Sequence, residues 1–359
     1  MRRAIRLAKQ GSGWVNPNPM VGALLVRDNQ IIGEGFHHHF GSPHAEVEAF
    51  NHASEPLDGA TLFVTLEPCI HQGKTPPCAP LILEKGIKKV IIGMEDPNPL
   101  VKGAGIEFLR NHGIQVEVGT LEQECRQLNE VFIKYITTGL PFILLKSAMT
   151  LDGKIATVDN TSRWITGEPS RKMVHGMRQQ YHAIMTGVDT ILYDDPMLNT
   201  RRGKKISKDP IKVIPDSRAR IPLTARIFQH NPQLTIIATT ELADKEKLKN
   251  IERLGAQVIL CPLKENRVDI AFLMKALGIM GIDSVMLEGG STLAFSALKE
   301  GIVDKVVSFI APKILGGSAA PSPVGGAGIE KMEDAIMLKN IRVKKVGKDI
   351  MIEGWMNNF

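Results

Sequence analysis

The 359 residues, 43% hydrophobic and 23% charged, describe a globular chain long enough for two domains and able to build a large core without disulfides. No apolar run approaches ~18 residues, which excludes an ordinary membrane-spanning helix, and Met1-Arg2-Arg3-Ala4-Ile5 lacks the apolar stretch of a secretory signal. A net charge of +6 favours anionic small ligands, while 5% aromatics and the lack of a dense basic block argue against nucleic acid.

The chain opens on an amphipathic helix with Ile5 and Ala8 on one side and Arg2, Arg6 and Lys9 on the other. Short apolar runs at Val21–Val26, near Ile31, at Thr61–Leu66 and at Lys89–Ile92 read as strands. Helical patterns begin near Pro43, Ala79, Gly103 and Leu121. The alternation predicts an α/β sandwich around an open sheet. Gly139-Leu140-Pro141 ends the last helical pattern and sets the boundary between domains 1–138 and 139–359.

Phe142–Lys146 restarts as a strand. Further strands are expected at Ile211–Ile214, Leu234–Ala238, Gln257–Leu260, Ser284–Leu287 and Lys305–Ile310. Arg342–Val346 and Ile350–Glu353 read as a closing hairpin turned at Gly347-Lys348-Asp349. Arg201–Asp209 and Gly316–Gly328 read as mobile loops. The four cysteines (Cys69, Cys78, Cys125, Cys261) are too few for a disulfide scaffold and point to a reducing cytoplasm.

Chemistry concentrates in the first domain. His44-Ala45-Glu46 is followed by Pro68-Cys69 and then by Cys78. One imidazole and two thiolates can hold zinc at three points and leave the fourth for water, while Glu46 moves protons without binding the metal. This is the donor set of zinc deaminases that act on nucleobase-like rings. Pro43 is expected in the first turn of a helix that starts at the triplet, and Cys69 at the start of the next helix, where a thiol is acidified. The interval from Cys69 to Cys78 is longer than the common Pro-Cys-x-x-Cys. His37-His38-His39 on a loop reads as solvated rather than metal-binding.

With its filling, that interval is informative. Leu66-Glu67-Pro68-Cys69 and Gly73-Lys74-Thr75-Pro76-Pro77-Cys78, together with Asn18-Pro19-Met20-Val21-Gly22 and Asp96-Pro97-Asn98-Pro99, closely resemble the bifunctional deaminase–reductase family of riboflavin biosynthesis. The resemblance runs through essentially the whole chain. It implies a cytidine-deaminase-like α/β/α sandwich followed by a dihydrofolate-reductase-like α/β domain. It implies zinc ligands at His44, Cys69 and Cys78, with Glu46 as proton shuttle. It places Asn18, His37, His71, Lys74, Asp96 and Asn98 near a ribosylated diaminopyrimidinone phosphate whose ring amine is hydrolysed. Ile70 departs from the small polar residue expected beside the first Cys.

In the second domain, Lys146–Ala156 is a strand entering an Asp-Gly turn. Arg163-Trp164-Ile165-Thr166-Gly167 follows, and Glu288-Gly289-Gly290-Ser291-Thr292-Leu293 joins a strand to a helix. A Gly pair there lets backbone N–H groups approach a phosphate. Gly-x-Gly-x-x-Gly is absent, so an ordinary dinucleotide fold is not supported. These motifs resemble the reductase of the same family, which uses NADPH to convert the ribosyl group to a ribityl chain. The resemblance implies NADPH contacts at Ala148, Trp164, Thr190, Asp194, Ser217 and the run Gly290, Ser291, Thr292, Leu293, Ala294, Phe295, Ser296. It implies substrate contacts at Ser162, Arg178, Leu198, Arg201 and Glu288, with the two guanidiniums suited to a sugar phosphate. Pro215 interrupts the strand leading to Ser217, which weakens that assignment. The family also suggests a homo-oligomer, dimer or tetramer. A nucleic-acid base editor and a catalytically dead ligand-binding module are the competing readings; the second domain opposes the first, and the complete His/Glu/Cys/Cys set opposes the second.

Overall fold

The computed structural model describes residues 1–71, 76–99, 101–203 and 206–357. The chain forms two compact units, Met1–Gly139 and a second that begins at Leu140.

The first unit runs α1 (Arg2–Ala8), β1 (Gly22–Arg27), β2 (Gln30–Phe36), α2 (Ala45–Asn51), β3 (Thr61–Leu66), α3 (Cys78–Glu84), β4 (Lys89–Met94), α4 (Ala104–Asn111), β5 (Gln115–Val118), α5 (Glu122–Leu128) and α6 (Glu130–Thr138). Its sheet has the order β2-β1-β3-β4-β5. β1 pairs antiparallel with β2 and β3, and β3, β4 and β5 run parallel. Side chains alternate across each strand, so the two faces bury different sets. Leu25, Leu62, Val64, Val90 and Ile92 pack against α2, α3 and α4 through Ala49, Ile82 and Leu109. Leu66 and Met94 cluster with Ile5 and Ala8 of α1 and with Cys125 and Leu128 of α5; α1 and α5 cover the opposite face, where a Cβ on Gly22 would meet Ala4 O and one on Gly93 would meet Cys125 Sγ. The result is the three-layer sandwich expected from the sequence.

The second unit runs β6 (Phe142–Thr150), α7 (Glu168–Gln180), β7 (Ala183–Met185), α8 (Val188–Asp194), β8 (Ile211–Pro215), α9 (Arg226–Gln229), β9 (Thr235–Thr239), α10 (Lys245–Arg253), β10 (Gln257–Leu260), a small ribbon of β11 (Leu263–Lys264) and β12 (Arg267–Val268), α11 (Ile270–Ile279), β13 (Ser284–Glu288), α12 (Ser291–Lys299), β14 (Lys305–Ala311), β15 (Lys339–Val346) and β16 (Asp349–Trp355). The main sheet is ordered β10-β9-β8-β7-β13-β6-β14-β16-β15, parallel from β10 to β14 and closed by the antiparallel hairpin. Leu144, Ile184, Ile214 and Met286 bury against α7, α8 and α10, while Ile143, Leu145, Met185 and Leu287 bury against α11 and α12. Helices on both faces explain why these strands read as continuous apolar runs.

Three local expectations change. Cys69 does not open a helix; it lies in the loop after β3, and α3 begins at Cys78 with Pro77 as its N-cap. Pro43 lies outside the first turn, because His44 is the N-cap of α2 with an extended backbone, φ −72 and ψ 162. Pro215 does not break β8. The Asp216 N–H donates across to Ala238 O at 2.8 Å, so by alternation the missing donor at Pro215 faces β7, which ends at Met185. The described parts of 201–209 and 316–328 carry no helix or strand.

Candidate functional sites

The start of α2 presents two divergent side chains: His44 from the N-cap and Glu46 from the first turn. His44 Nδ1 lies 3.3 Å from Cys78 Sγ and 3.5 Å from Cys69 Sγ. The three ligand atoms lie within 4.8 Å of one another. One imidazole and two sulfurs at that separation fit a tetrahedral zinc, with one position left for water. Sequence distance is bridged by the sheet: β3 delivers Cys69, and α3 delivers Cys78 at its first residue. The Cys78 N–H donates to Cys69 Sγ at 3.4 Å, a bond that supports the first sulfur without help from the half-buried Ile70.

The electrostatics favour metal binding. Cys78, then His44, hold the Cys69 thiol down at about 4 against the opposing effect of burial. Cys78 is raised well above an ordinary thiol, first by its bond to Cys69 and then by burial. Glu46 is 3% exposed, and burial pushes its carboxyl up, the condition for a carboxyl that both gives and takes a proton.

Around this centre stand most of the expected substrate residues. His37 is buried while His38 and His39 are exposed, and its ring meets that of His44 edge-on at 5.7 Å. His37 Nδ1 lies 3.1 Å from Pro43 O and Nε2 lies 3.2 Å from Asn18 Nδ2. Burial, foremost, pushes His37 down. The neutral ring thus donates from Nδ1 to the carbonyl and accepts from Asn18 at Nε2, which leaves the Asn18 carbonyl oxygen as an acceptor. Asp96 is pushed up to about 6, mainly by burial, and His71 and Cys69 act on it electrostatically. Its Oδ1 accepts the Asn98 N–H at 2.9 Å, forming a tight turn. His71 is exposed. Lys74 lies outside the described residues.

Two residues that sequence reasoning did not single out organise these loops. The buried Asn129 accepts from Met20 N at 2.8 Å and donates to Met20 O at 3.0 Å, clasping the Asn18–Met20 segment. Glu67, quoted only as part of a motif, is a buried carboxylate bonded to four backbone N–H groups.

In the second unit the expected residues gather at the carboxyl ends of the parallel strands, where open α/β sheets bind ligands. Glu288 ends β13 opposite Lys146 of β6. Its Oε1 accepts from Lys146 Nζ at 2.8 Å, and its Oε2 accepts from Arg178 Nε at 3.1 Å. Burial alone would raise Glu288, but Lys146 and Arg178 overcome it and hold the carboxyl at about 2. Lys146 was not among the expected site residues; its partner is 142 positions away. Arg178 also donates to Asn199 O at 3.0 Å. Its guanidinium is thus engaged with Glu288 and Asn199, whereas Arg201 is exposed. Leu198 is 4% exposed and packs in the core. Ser162 is half-buried on the loop before α7.

Gly289 and Gly290 have φ +83 and +78, the left-handed region natural to glycine. A Cβ on Gly289 would meet Thr186 Oγ1 at 3.3 Å and Thr190 Oγ1 at 3.4 Å, and one on Gly290 would meet Gly187 N at 3.4 Å. The cradle is bare backbone, two hydroxyls and the start of α12. Thr186 Oγ1 is buried there with no partner among the described residues. These groups fit a dinucleotide phosphate. The helix ladder begins with Ala294 N donating to Gly290 O at 2.9 Å, so only the N–H groups ahead of Ala294 point out of the helix end. This narrows the expected run: Ala294 is buried in the core, Ser296 bonds back to Thr292 O, and Phe295 packs at Gly326. Leu293 packs on the core with its Cβ 3.5 Å from where a Gly290 Cβ would lie, next to Gly290, Ser291 and Thr292 at the cradle. Ala148 lies on β6, and Asp194 ends α8. Ser217 Oγ, just past β8, accepts the Val268 N–H at 3.0 Å. Trp164 is 59% exposed under Arg171, 4.6 Å from its ring centre, and is not a core residue.

Residues 1–94 match the zinc-binding region of cytidine and deoxycytidylate deaminases, and residues 141–352 match the RibD C-terminal domain. The riboflavin biosynthesis protein RibD of Actinobacillus pleuropneumoniae is 48% identical, over 98% of this chain and 93% of its own length. The chain belongs to the RibD family. Crystallised RibD from Acinetobacter baumannii superposes with a TM-score of 0.88 at 38% identity, covering 99% of this chain and 97% of its own. A diaminohydroxyphosphoribosylaminopyrimidine deaminase/5-amino-6-(5-phosphoribosylamino)uracil reductase from Thermotoga maritima gives 0.86 at 40% identity, with coverage of 99% and 97%. Like its RibD relatives, the chain is a bifunctional enzyme of riboflavin biosynthesis, with a zinc-binding deaminase domain and an NADPH-dependent reductase domain. Its substrate is a small molecule, and no helix among the described residues is long and apolar enough to cross a membrane.

Proposed function

We propose that residues 1–138 hydrolyse the ring amine of 2,5-diamino-6-ribosylamino-4(3H)-pyrimidinone 5′-phosphate. Residues 139–359 then reduce the ribosyl group, giving 5-amino-6-ribitylamino-uracil 5′-phosphate. The single observation that carries this reading is the convergence of His44, Cys69 and Cys78 beside the buried Glu46. His44, Cys69 and Cys78 would hold zinc, which when bound would lower the proton affinity of a water. Glu46 takes a proton from the attacking water and returns it to the departing amine, which leaves as ammonia. Asn18, fixed by His37, and Asp96 and Asn98 meet the donors and acceptors of the pyrimidine edge, with His71 and Lys74 nearby.

In the reductase, NADPH when bound would supply the hydride that C1′ gains once the sugar has opened. Gly290, Ser291 and Thr292, with Thr190, hold the cofactor phosphates; Ala148, Trp164, Asp194 and Ser217 line the remainder. Glu288, Ser162 and Arg201 meet the substrate, and Lys146, paired with Glu288 at 2.8 Å, gives the ring oxygen the proton it takes up as the sugar opens. The enzyme works in the cytoplasm as a homo-oligomer, without nucleic acid.

Replacing Glu46 by Gln tests the assignment. Zinc content should stay at the wild-type value and ammonia release should fall by about 10²–10⁴-fold, while NADPH oxidation on pre-deaminated substrate persists. Unchanged ammonia release would remove Glu46 from the mechanism.

A further inference from the structure

Glu67 stands between the end of β3 and Pro68-Cys69 and is 3% exposed. Its Oε2 accepts from Asp96 N and Gly103 N, each at 3.0 Å. Its Oε1 accepts from Gly105 N at 2.9 Å and Ile106 N at 3.2 Å. Four N–H groups thereby fill the four acceptor positions of one carboxylate. All four belong to a single segment, the loop after β4 and the first turn of α4. That segment also sits hard against the zinc loop: a Cβ on Gly105 would lie 2.1 Å from Pro68 O. The same segment carries Asp96 and Asn98, whose turn is closed by Asn98 N donating to Asp96 Oδ1. A side chain adjacent to the zinc loop therefore holds the loop that faces the pyrimidine.

We infer that Glu67 is a positioning residue of the deaminase: its carboxylate fixes the register between the zinc-ligand loop at Cys69 and the substrate loop at Asp96–Asn98. The inference rests on the reading of Asp96 and Asn98 as substrate contacts. If Glu67 merely capped α4, its loss would lower stability and leave substrate affinity intact. If it sets register, its loss shifts Asp96 and Asn98 relative to the metal and appears in KM. Glu67→Gln turns an amide toward two of the four donors and should release half of the clamp.

The test uses the full-length zinc enzyme with the diaminopyrimidinone ribosyl phosphate, and compares Glu67→Gln, Asp96→Asn and the double variant. Glu67→Gln should keep its zinc and its NADPH oxidation on pre-deaminated substrate, which shows that the chain is folded. Its KM in the ammonia-release assay should rise about tenfold to hundredfold, with a smaller fall in kcat. In the Asp96→Asn background, Glu67→Gln should add no more than about a further twofold, because both act through one loop. An unchanged KM, or effects that simply multiply, would overturn the inference. If Glu67→Gln does not yield folded zinc protein, Glu67→Asp, which keeps the charge and shortens its reach, is measured in its place, and an unchanged KM is again decisive against the idea. An unchanged KM in Asp96→Asn alone would instead remove the substrate reading beneath the inference.

Discussion

Replacing Glu288 by Gln is the sharpest probe of the reductase site. In the folded chain Glu288 binds its proton at about 2 rather than at the ordinary 4.5, because Lys146 and Arg178 outweigh its burial. Between those two pH values the unfolded chain holds more protons than the folded one, so stability falls as the pH falls through that window. At about 1.36 kcal/mol per pH unit, the gap corresponds to about 3 kcal/mol, fully present above 4.5 and lost by about 2. At neutral pH, Glu288→Gln leaves Lys146 and Arg178 in a buried site without their counter-charge, which costs about 3–5 kcal/mol. Urea unfolding followed by fluorescence in a Trp14→Phe background reads the second unit through Trp164 and Trp355. The difference in stability between wild type and Glu288→Gln should shrink by about 3 kcal/mol as the pH is lowered from 4.5 to 2. Parallel curves across that window would refute the ion cluster as drawn.

Two further outcomes follow from the site geometry. Cys78→Ser should lose most of its zinc by metal analysis and with it ammonia release, while NADPH oxidation on pre-deaminated substrate continues; retained zinc would remove Cys78 from the ligand set. Gly290→Val places a β-branched side chain at φ +78 and 3.4 Å from Gly187 N. It should raise the KM for NADPH about tenfold, since left-handed backbone costs such a residue about 1–2 kcal/mol, and leave ammonia release unchanged; an unaltered KM would move the phosphate cradle elsewhere.

What was legible in the sequence was local. His44 and Glu46 are two residues apart, and both sit at one helix start, where the N-cap geometry sends the side chains in different directions toward one site. Cys69 and Cys78 could be paired because the Gly-Lys-Thr-Pro-Pro filling marks the interval. The helical pattern near Ala79 was readable, but Cys69 was wrongly expected to open a helix because Pro68-Cys69 after a strand resembles a strand-to-helix turn, whereas Pro77 caps α3. Asn129 and Lys146 were invisible for a different reason. Each acts on a partner 109 or 142 positions away, and only the folded packing of distant segments brings such pairs together. Arg178 shows the same limit from the other side: its suitability for phosphate was readable, but the carboxylate that occupies it was not. In the run after Gly289, the family resemblance implied a phosphate-binding segment from Gly290 to Ser296, and the helix turns Ala294 inward while its first turn faces out.

The central claim is that one chain performs two consecutive reactions, deamination first. Product masses from the purified protein and the diaminopyrimidinone ribosyl phosphate, with and without NADPH, test it most directly. Without NADPH the product should have oxygen in place of the ring amine and nothing more; with NADPH it should also carry two added hydrogens. A product that gains the hydrogens while keeping its ring amine would contradict the account.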